Sequence, residues 1–319
     1  MGAALDTRAV VLEQPEKLVL STLALTAPTA ADVVVEVYWS GISTGTERLL
    51  YTGAMPPFPG MGYPLVPGYE SVGRVVEAGP ESGRRVGDLV FVPGAACFGE
   101  VRGLFGGAAS RLVVPGQRVL EVDESLGEQG VLLALAATAH HALAPQADAT
   151  PVFPDLVVGH GVLGRLIARI AMALGAPPPT VWETQPRRMQ GATGYPVVHP
   201  DDDARRDYRC ICDVSGDAGL LDTLISRLGR GGEIVLAGFY SKPLSFEFPP
   251  AFMREVRLRV ATEFQPSDLS ATRRLLAEGL LSLDGLVTHR APADDAADAY
   301  RIAFTDVDCL KMVLNWRQA

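Results

Sequence analysis

Asp155-Leu156-Val157-Val158-Gly159-His160-Gly161-Val162-Leu163-Gly164, carried on to Trp182-Glu183, is the stretch whose reading decides the fold. Leu156 to Val158 is apolar, too short for a helix and Val-rich enough for a buried parallel strand. The spacing Gly159-x-Gly161-x-x-Gly164 follows at once. Arg165 to Leu174 then reads as a helix, with Leu166, Ile167, Ile170, Ala171 and Leu174 at helical spacing. Gly175 stops it, and Thr180 to Glu183 reads as a second strand. In that setting Gly159 allows a tight turn, Gly161 lets a pyrophosphate approach the backbone, and Gly164 lets the helix sit against the strand. Val162 and Leu163 lead from the turn into the helix, whose N-terminal free N–H groups and partial positive charge suit phosphates.

A glycine pattern alone is weak evidence. Strand, helix, second strand and terminal acid in register together point to a dinucleotide. Glu183 is placed to accept from both ribose hydroxyls of an adenosine, and a carboxylate there repels a 2′-phosphate. NAD is therefore expected rather than NADP. Arg187 and Arg188, just beyond, are the counter-evidence unless they belong to a solvated turn after Pro186.

The rest of the 319-residue chain is long enough for two domains with sizeable cores. A formal net charge of -9 and a pI near 5.1 argue against nucleic-acid binding. Met1 to Arg8 carries no apolar signal core, and Val131 to Leu143 is too short to span a bilayer. A cytoplasmic protein with no integral membrane segment is expected. Cys97, Cys210, Cys212 and Cys309 form no C-x-x-C pair, so neither a zinc lobe nor a redox motif is encoded. Cys210 and Cys212, at strand spacing, read as small buried thiols in a core strand.

Up to about Leu143 the chain is punctuated by Gly and Pro and rich in strands. Val10 to Leu12, Leu18 to Leu20, Val33 to Tyr38, Ser71 to Glu77, Leu89 to Pro93 and Arg111 to Val114 read as strands of a small barrel-like half. Two loops, Tyr51 to Pro67 and Gly94 to Gly107, are long and poor in charge, which favours a functional role over idle surface. Val131 to Leu143 reads as an apolar helix. After Glu183 the alternation continues: strand Ile211 to Val214, helix Gly219 to Leu228, strands Glu233 to Phe239 and Leu258 to Ala261. Ser267 to Glu278 and Asp294 to Phe304 read as helices. Leu310 to Asn315 reads as a last strand that returns to the first half.

With Gly45-Thr46-Glu47, Pro67-Gly68-Tyr69-Glu70, Gly87-Asp88, Thr138-Ala139-His140, the glycine turn, Gly231-Gly232-Glu233-Ile234-Val235 and Leu310-Lys311, the whole chain resembles the medium-chain dehydrogenase/reductase superfamily. That resemblance implies a Rossmann domain, a doubly wound parallel sheet over residues 144–264. It also implies a β-rich GroES-like catalytic domain over 1–143 and 265–319. The runs SGISTGTE, PPFPGMGYPLVPGYE, LLALAATA, VVGHGVLGR and GGEIVLAGFY resemble more narrowly a branch serving bacteriochlorophyll biosynthesis. For that branch the resemblance implies NAD-dependent oxidation of a chlorin 3-(1-hydroxyethyl) group to 3-acetyl.

The zinc-dependent branch needs ligands where this chain has Ser43 or Thr44, Tyr69 and Ala134, so no metal is expected. Thr46 matches the family's relay hydroxyl, Tyr69 stands where a ligand would face substrate, and His140 or His141 can serve as general base. Against these roles, Thr46 can simply cap a helix at Glu47, Tyr69 can fill the vacated metal cavity, and either histidine can be a satisfied core or surface residue. Thr138 matches a residue lining the nicotinamide, and Lys311 a tail position without an assigned role. A chlorin pocket would draw on Ser43, Tyr51, Phe58, Tyr63, Glu70, Phe98 and Phe105, framing a cleft between the domains. Arg48 or Arg102 can meet a propionate, against the plainer reading of each as an exposed arginine with no such role. A homodimer is left open. The competing readings are a metal-free quinone or enoyl reductase, whose usual NADPH preference is at odds with Glu183, and a non-catalytic nucleotide-binding protein.

Overall fold

The computed structural model describes residues 5–144 and 152–317. They divide into two compact units, one made of Met1–Ala134 and Leu286–Ala319 and the other of Leu135–Gly285.

The first unit is β-rich. Its larger sheet runs His289–Pro292, Met312–Asn315, Asp32–Ile42, Ser71–Ala78, Leu89–Val92, Leu120–Glu121, with Arg111–Pro115 also paired to Asp32–Ile42. A smaller sheet runs Lys17–Ala24, Asp6–Gln14, Leu65–Val66, Arg102–Gly103. Asp32–Ile42 is paired with three other strands, which is why Val33, Val34 and Val35 are all buried rather than alternating. Met312–Asn315 pairs antiparallel with the same strand, Met312 opposite Ile42, so the chain's end returns to the first half as expected. That register brings Lys311 to the end of the Asp32–Ile42 strand, where the helix Thr46–Thr52 begins soon after. Gly41 must be glycine there, since a Cβ would lie 2.2 Å from the Glu70 carboxylate.

The second unit is a doubly wound parallel sheet, ordered Val197–Val198, Thr180–Trp182, Leu156–Val158, Tyr208–Asp213, Leu228–Leu236, Arg257–Val260. The strand order reverses beside Leu156–Val158, the position at which such sheets bind ligands beyond their strand ends. The helix Val162–Ala173 buries Leu166, Ile167, Ile170 and Ala171. It starts three residues before the sequence reading places it.

Three expectations change. The apolar run 131–143 is not one helix: a 3-10 segment, Glu124–Leu132, precedes the α-helix Leu133–Leu143, and apolar composition does not distinguish the two. The helix Phe248–Arg254 had no counterpart in the sequence reading. The division between units also lies elsewhere than at 143/144 and 264/265. The second unit extends to 135 and 285 because side chains hold its flanks. The Asp268 carboxylate, in helix Pro266–Ala277, accepts from Nδ1 of His140 at 2.7 Å and of His141 at 2.8 Å. Arg259 donates to the Ala142 carbonyl at 2.6 Å, and Arg169 to those of Ser282 and Asp284. Among the described residues no helix is long and apolar enough to cross a membrane. All four cysteines are buried and free.

Candidate active site

In the second unit the glycine turn follows directly from Leu156–Val158. Gly159 takes φ +102°, a region that favours glycine, and Gly161 caps the helix in an extended conformation. A Cβ on Gly164 would lie 1.9 Å from the Gly159 carbonyl, so helix and turn approach each other only because that side chain is absent. The space around a Cβ at Gly161 is open, as a cradle for an approaching phosphate requires. Val162 is buried and Leu163 half-buried in the first helical turn.

Glu183 lies just past the strand Thr180–Trp182. Its carboxylate accepts from three backbone N–H groups: Thr184 and Gln185 at 2.8 Å each, and His160 of the glycine turn at 3.2 Å. The acid and the turn are thus one rigid piece. Such a carboxylate, 9 % exposed, is oriented before any ribose arrives.

In the first unit a cluster of hydroxyls and charges has formed around the helix Thr46–Thr52. Ser43 Oγ and the Tyr69 hydroxyl are 2.7 Å apart, and Thr46 bonds the same hydroxyl. Burial and the neighbouring Glu70 charge push the Tyr69 phenol far above its usual range, with the Ser43 and Thr46 bonds opposing. Tyr69 is therefore a hydrogen-bond donor at neutral pH and not a base. Thr46 does not cap the helix. That position is Gly45, and Glu47 instead closes the turn by accepting from the Ser43 N–H at 2.9 Å. The other Glu47 oxygen accepts from the Tyr300 hydroxyl at 2.5 Å. Burial raises the Glu47 carboxyl to about 7, against the Tyr300 and Ser43 bonds.

Lys311 has a definite partner. Its ammonium donates to Glu70 Oε2 at 2.6 Å and to the Ile42 carbonyl at 3.2 Å, with both side chains almost fully buried. Glu70 Oε1 is buried with no hydrogen-bond partner. Burial raises the Glu70 carboxyl, and Lys311 opposes that shift.

The expected pocket residues separate. Phe105 meets Tyr69 edge to face at 5.7 Å, and Phe58 and Phe105 are each 37 % exposed. Tyr51 packs on Phe304, and the Tyr63 hydroxyl donates to the Leu50 carbonyl. Phe98 does not line a surface: it is 4 % exposed among Val66, Ala95 and Ala108 in the hydrophobic core, where an apolar ring is worth more than on a loop. Thr138 is half-buried on the Leu133–Leu143 helix. His140 and His141 are the pair clamped on Asp268, with His141 Nε2 3.4 Å from Thr262.

Residues 29–124 match the alcohol dehydrogenase GroES-like domain. The chain is 58% identical over 316 residues to the 2-desacetyl-2-hydroxyethyl bacteriochlorophyllide A dehydrogenase of Rhodobacter capsulatus, covering 99% of this chain and 100% of that protein. It is also 58% identical to the Cereibacter sphaeroides protein of the same name, covering 98% of each. The chain belongs to the medium-chain dehydrogenase/reductase family. As a member of it, the chain is an oxidoreductase acting on CH–OH groups with a nicotinamide cofactor. An alcohol dehydrogenase of Escherichia coli CFT073, solved with NADH, shares the fold, with a TM-score of 0.82 at 21% identity over 98% of this chain and 99% of that one.

Zinc-binding members of the medium-chain family set a donor test that this chain's residues do not meet. Ser43, Tyr69 and Ala134 offer two neutral hydroxyls and a methyl, and the adjacent Glu70 already binds the Lys311 ammonium. Among the described residues, no three His, Cys, Asp or Glu side chains are arranged to hold a metal ion. The sequence reading also missed Glu47, Tyr300, His160 and Arg165. The last two had a signal, a histidine between two glycines of the turn and an arginine on an apolar helix face. Glu47 and Tyr300 had none, since they are 253 positions apart.

Proposed function

We propose that the chain oxidises the 3-(1-hydroxyethyl) group of a bacteriochlorophyllide to 3-acetyl with NAD and without zinc. The observation that carries the substrate is the 58% identity over essentially the whole chain to two dehydrogenases of that name. NAD rests on Glu183, whose backbone-held carboxylate suits two ribose hydroxyls and opposes a 2′-phosphate. Glycines 159, 161 and 164 and the first turn at Val162 and Leu163 would hold the pyrophosphate, with Thr138 toward the nicotinamide.

The glycine turn and Glu183 would hold NAD, which would supply a hydride acceptor for the carbinol carbon. The chain's own side chains manage the oxygen. The Tyr69 hydroxyl, kept protonated by burial, and Thr46 beside it are suited to hold the carbinol oxygen by hydrogen bonds. The alcohol proton must leave as the C=O forms, and His140 is the proposed acceptor. Asp268 fixes its ring through Nδ1, leaving Nε2 to take the proton. Phe105, edge to face with Tyr69, and Phe58 offer exposed aromatic surface to a flat macrocycle, to whose pocket Tyr51, Tyr63 and Glu70 would contribute, and Ser43 bonds the Tyr69 hydroxyl.

The test compares kcat/KM for a 3-hydroxyethyl chlorin with that for 1-phenylethanol, using NAD. The chlorin should be favoured by orders of magnitude, because a small alcohol forgoes the binding energy that positions the carbinol. Comparable values, or no turnover of the chlorin, would remove the tetrapyrrole reading. Elemental analysis should find no stoichiometric zinc, and one tightly held zinc per chain would refute the ligand argument.

A homodimer is part of the same proposal. Arg257–Val260 is an edge strand of the parallel sheet, with Val260 68% and Leu258 42% exposed. Phe248, Phe252 and Met253 of the helix Phe248–Arg254 are 65–70% exposed. An apolar edge of this kind invites pairing with a second copy. Val260→Lys should convert a dimer to a monomer by light scattering, and an unchanged mass would exclude this edge.

A further inference from the structure

The glycine turn carries two residues that dinucleotide binding does not itself demand. His160 is fully buried and Arg165 is 4 % exposed. His160 Nδ1 lies 2.6 Å from the Arg188 carbonyl and Nε2 lies 2.9 Å from the Tyr195 hydroxyl. Burial lowers the imidazole to about 4, so at neutral pH the ring is uncharged and donates one of these bonds while accepting the other. Since a carbonyl only accepts, the N–H is on Nδ1, and the Tyr195 hydroxyl donates to Nε2.

Arg165 reaches in the same direction. Its guanidinium donates to four carbonyls: His160 at 3.0 Å, Arg188 at 3.0 Å, Gln190 at 2.7 Å and Gly191 at 3.0 Å. None of these partners is a carboxylate. A buried guanidinium without a counter-ion is costly unless its donors are satisfied, and here three carbonyl dipoles of one short segment, 188–191, and the His160 carbonyl of the glycine turn satisfy them. The segment is shaped to fit. Gly191 takes φ +79°, and a Cβ there would lie 2.7 Å from Arg165 Nη1.

That segment begins at the cofactor acid. Glu183 is followed by the 3-10 turn Pro186–Met189, which contains Arg187 and Arg188 and buries none of its residues. Side-chain burial therefore contributes little to holding the turn. The bonds from His160 and Arg165 tie it to the glycine turn, and the His160 N–H also donates to Glu183. One residue of the glycine turn thus touches both the ribose acid and the loop that follows it.

We propose that His160 and Arg165 form a clasp that positions the 186–191 loop against the glycine turn, completing the adenosine-ribose site and setting its preference for NADH over NADPH. This rests on reading Glu183 as the ribose acceptor. With the clasp closed, the loop is ordered before binding, so the nucleotide bears no ordering cost. With it open, Arg187 and Arg188 gain freedom to meet a 2′-phosphate. His160 and Arg165 are positioning residues, acting through the loop and Glu183.

The experiment uses the full chain with Arg165→Met, Arg165→Lys and, separately, His160→Phe, which keeps ring volume and loses both polar bonds. NADH and NADPH dissociation constants are measured by fluorescence titration, trypsin cleavage after Arg187 and Arg188 is timed, and kcat and KM for NAD are compared. Arg165→Met should weaken NADH by about tenfold, weaken NADPH less, and speed cleavage, with KM raised and kcat at saturation retained. Arg165→Lys should recover part of each effect. NADH affinity within about twofold of wild type, or an equal loss for both nucleotides, would overturn the clasp. If wild type binds both nucleotides equally, the Glu183 reading fails. The clasp is then decided by NADH affinity and cleavage rate in Arg165→Met. If that variant does not fold, His160→Phe decides by the same criteria.

Discussion

Glu183 and Glu70 are both buried carboxylates, and they are kept in opposite ways. Glu183, in the parallel-sheet unit, accepts from the N–H groups of Thr184, Gln185 and His160. Glu70, in the β-rich unit, has one oxygen on the Lys311 ammonium and the other without a partner. Backbone donors are supplied by any chain that folds the turn, whatever side chains it carries. An ion pair depends on one side chain contributed from 241 positions away. The nucleotide site is accordingly robust and local, while the cluster under Tyr69 is exposed to single substitutions.

The sharpest way to break this contrast is Lys311→Met. It leaves a buried carboxylate unpaired and should cost about 3–5 kcal/mol of stability at neutral pH, read by urea unfolding. Adding Glu70→Gln should recover much of the loss. A single-variant loss below about 1 kcal/mol would mean that Glu70 does not depend on its ion pair.

Glu47 extends the comparison to pH. Its folded carboxyl, raised by burial to about 7, lies above the ordinary value of 4.5, so the native state binds the proton more tightly. The contribution to stability is fully present below the unfolded value and is lost as pH rises through about 7. Glu47→Gln should abolish that slope, a difference on the order of 3 kcal/mol between acid and neutral pH. Parallel stability curves for wild type and Glu47→Gln from pH 4.5 to 7.5 would refute the buried-proton assignment.

Glu183→Ala should show the smallest effect, because two of its three backbone donors, those of Thr184 and Gln185, lie on exposed residues and can turn to water. The NADH preference should narrow by about 10- to 100-fold, corresponding to about 1–3 kcal/mol, with little change in stability. The ratio of NADH to NADPH dissociation constants measures it. An unchanged ratio would place selectivity elsewhere.

What was legible follows the same divide. The strand, turn, helix and acid from Leu156 to Glu183 were readable because each contact lies within thirty positions and each residue type has a local conformational reason. Gly159 needs a positive φ, and Gly164 a missing Cβ. Helix starts were less legible: Leu133 begins the α-helix only after a 3-10 segment. Phe98 carried the composition of a loop aromatic yet packs into the core, because burial depends on which strands close over it.

By itself, the sequence determined the sheet class, the glycine turn and the acid that follows it. All of these are properties of residue type and short spacing. Only the tertiary structure decided that Lys311 neutralises Glu70, that Tyr300 shares the Glu47 carboxylate, that Asp268 clamps two histidines, and that Arg165 holds four carbonyls. Those partners meet through strand register and helix packing. The sequence shows which residues can carry a charge, but which of them is buried and which residue satisfies it are chosen by the fold.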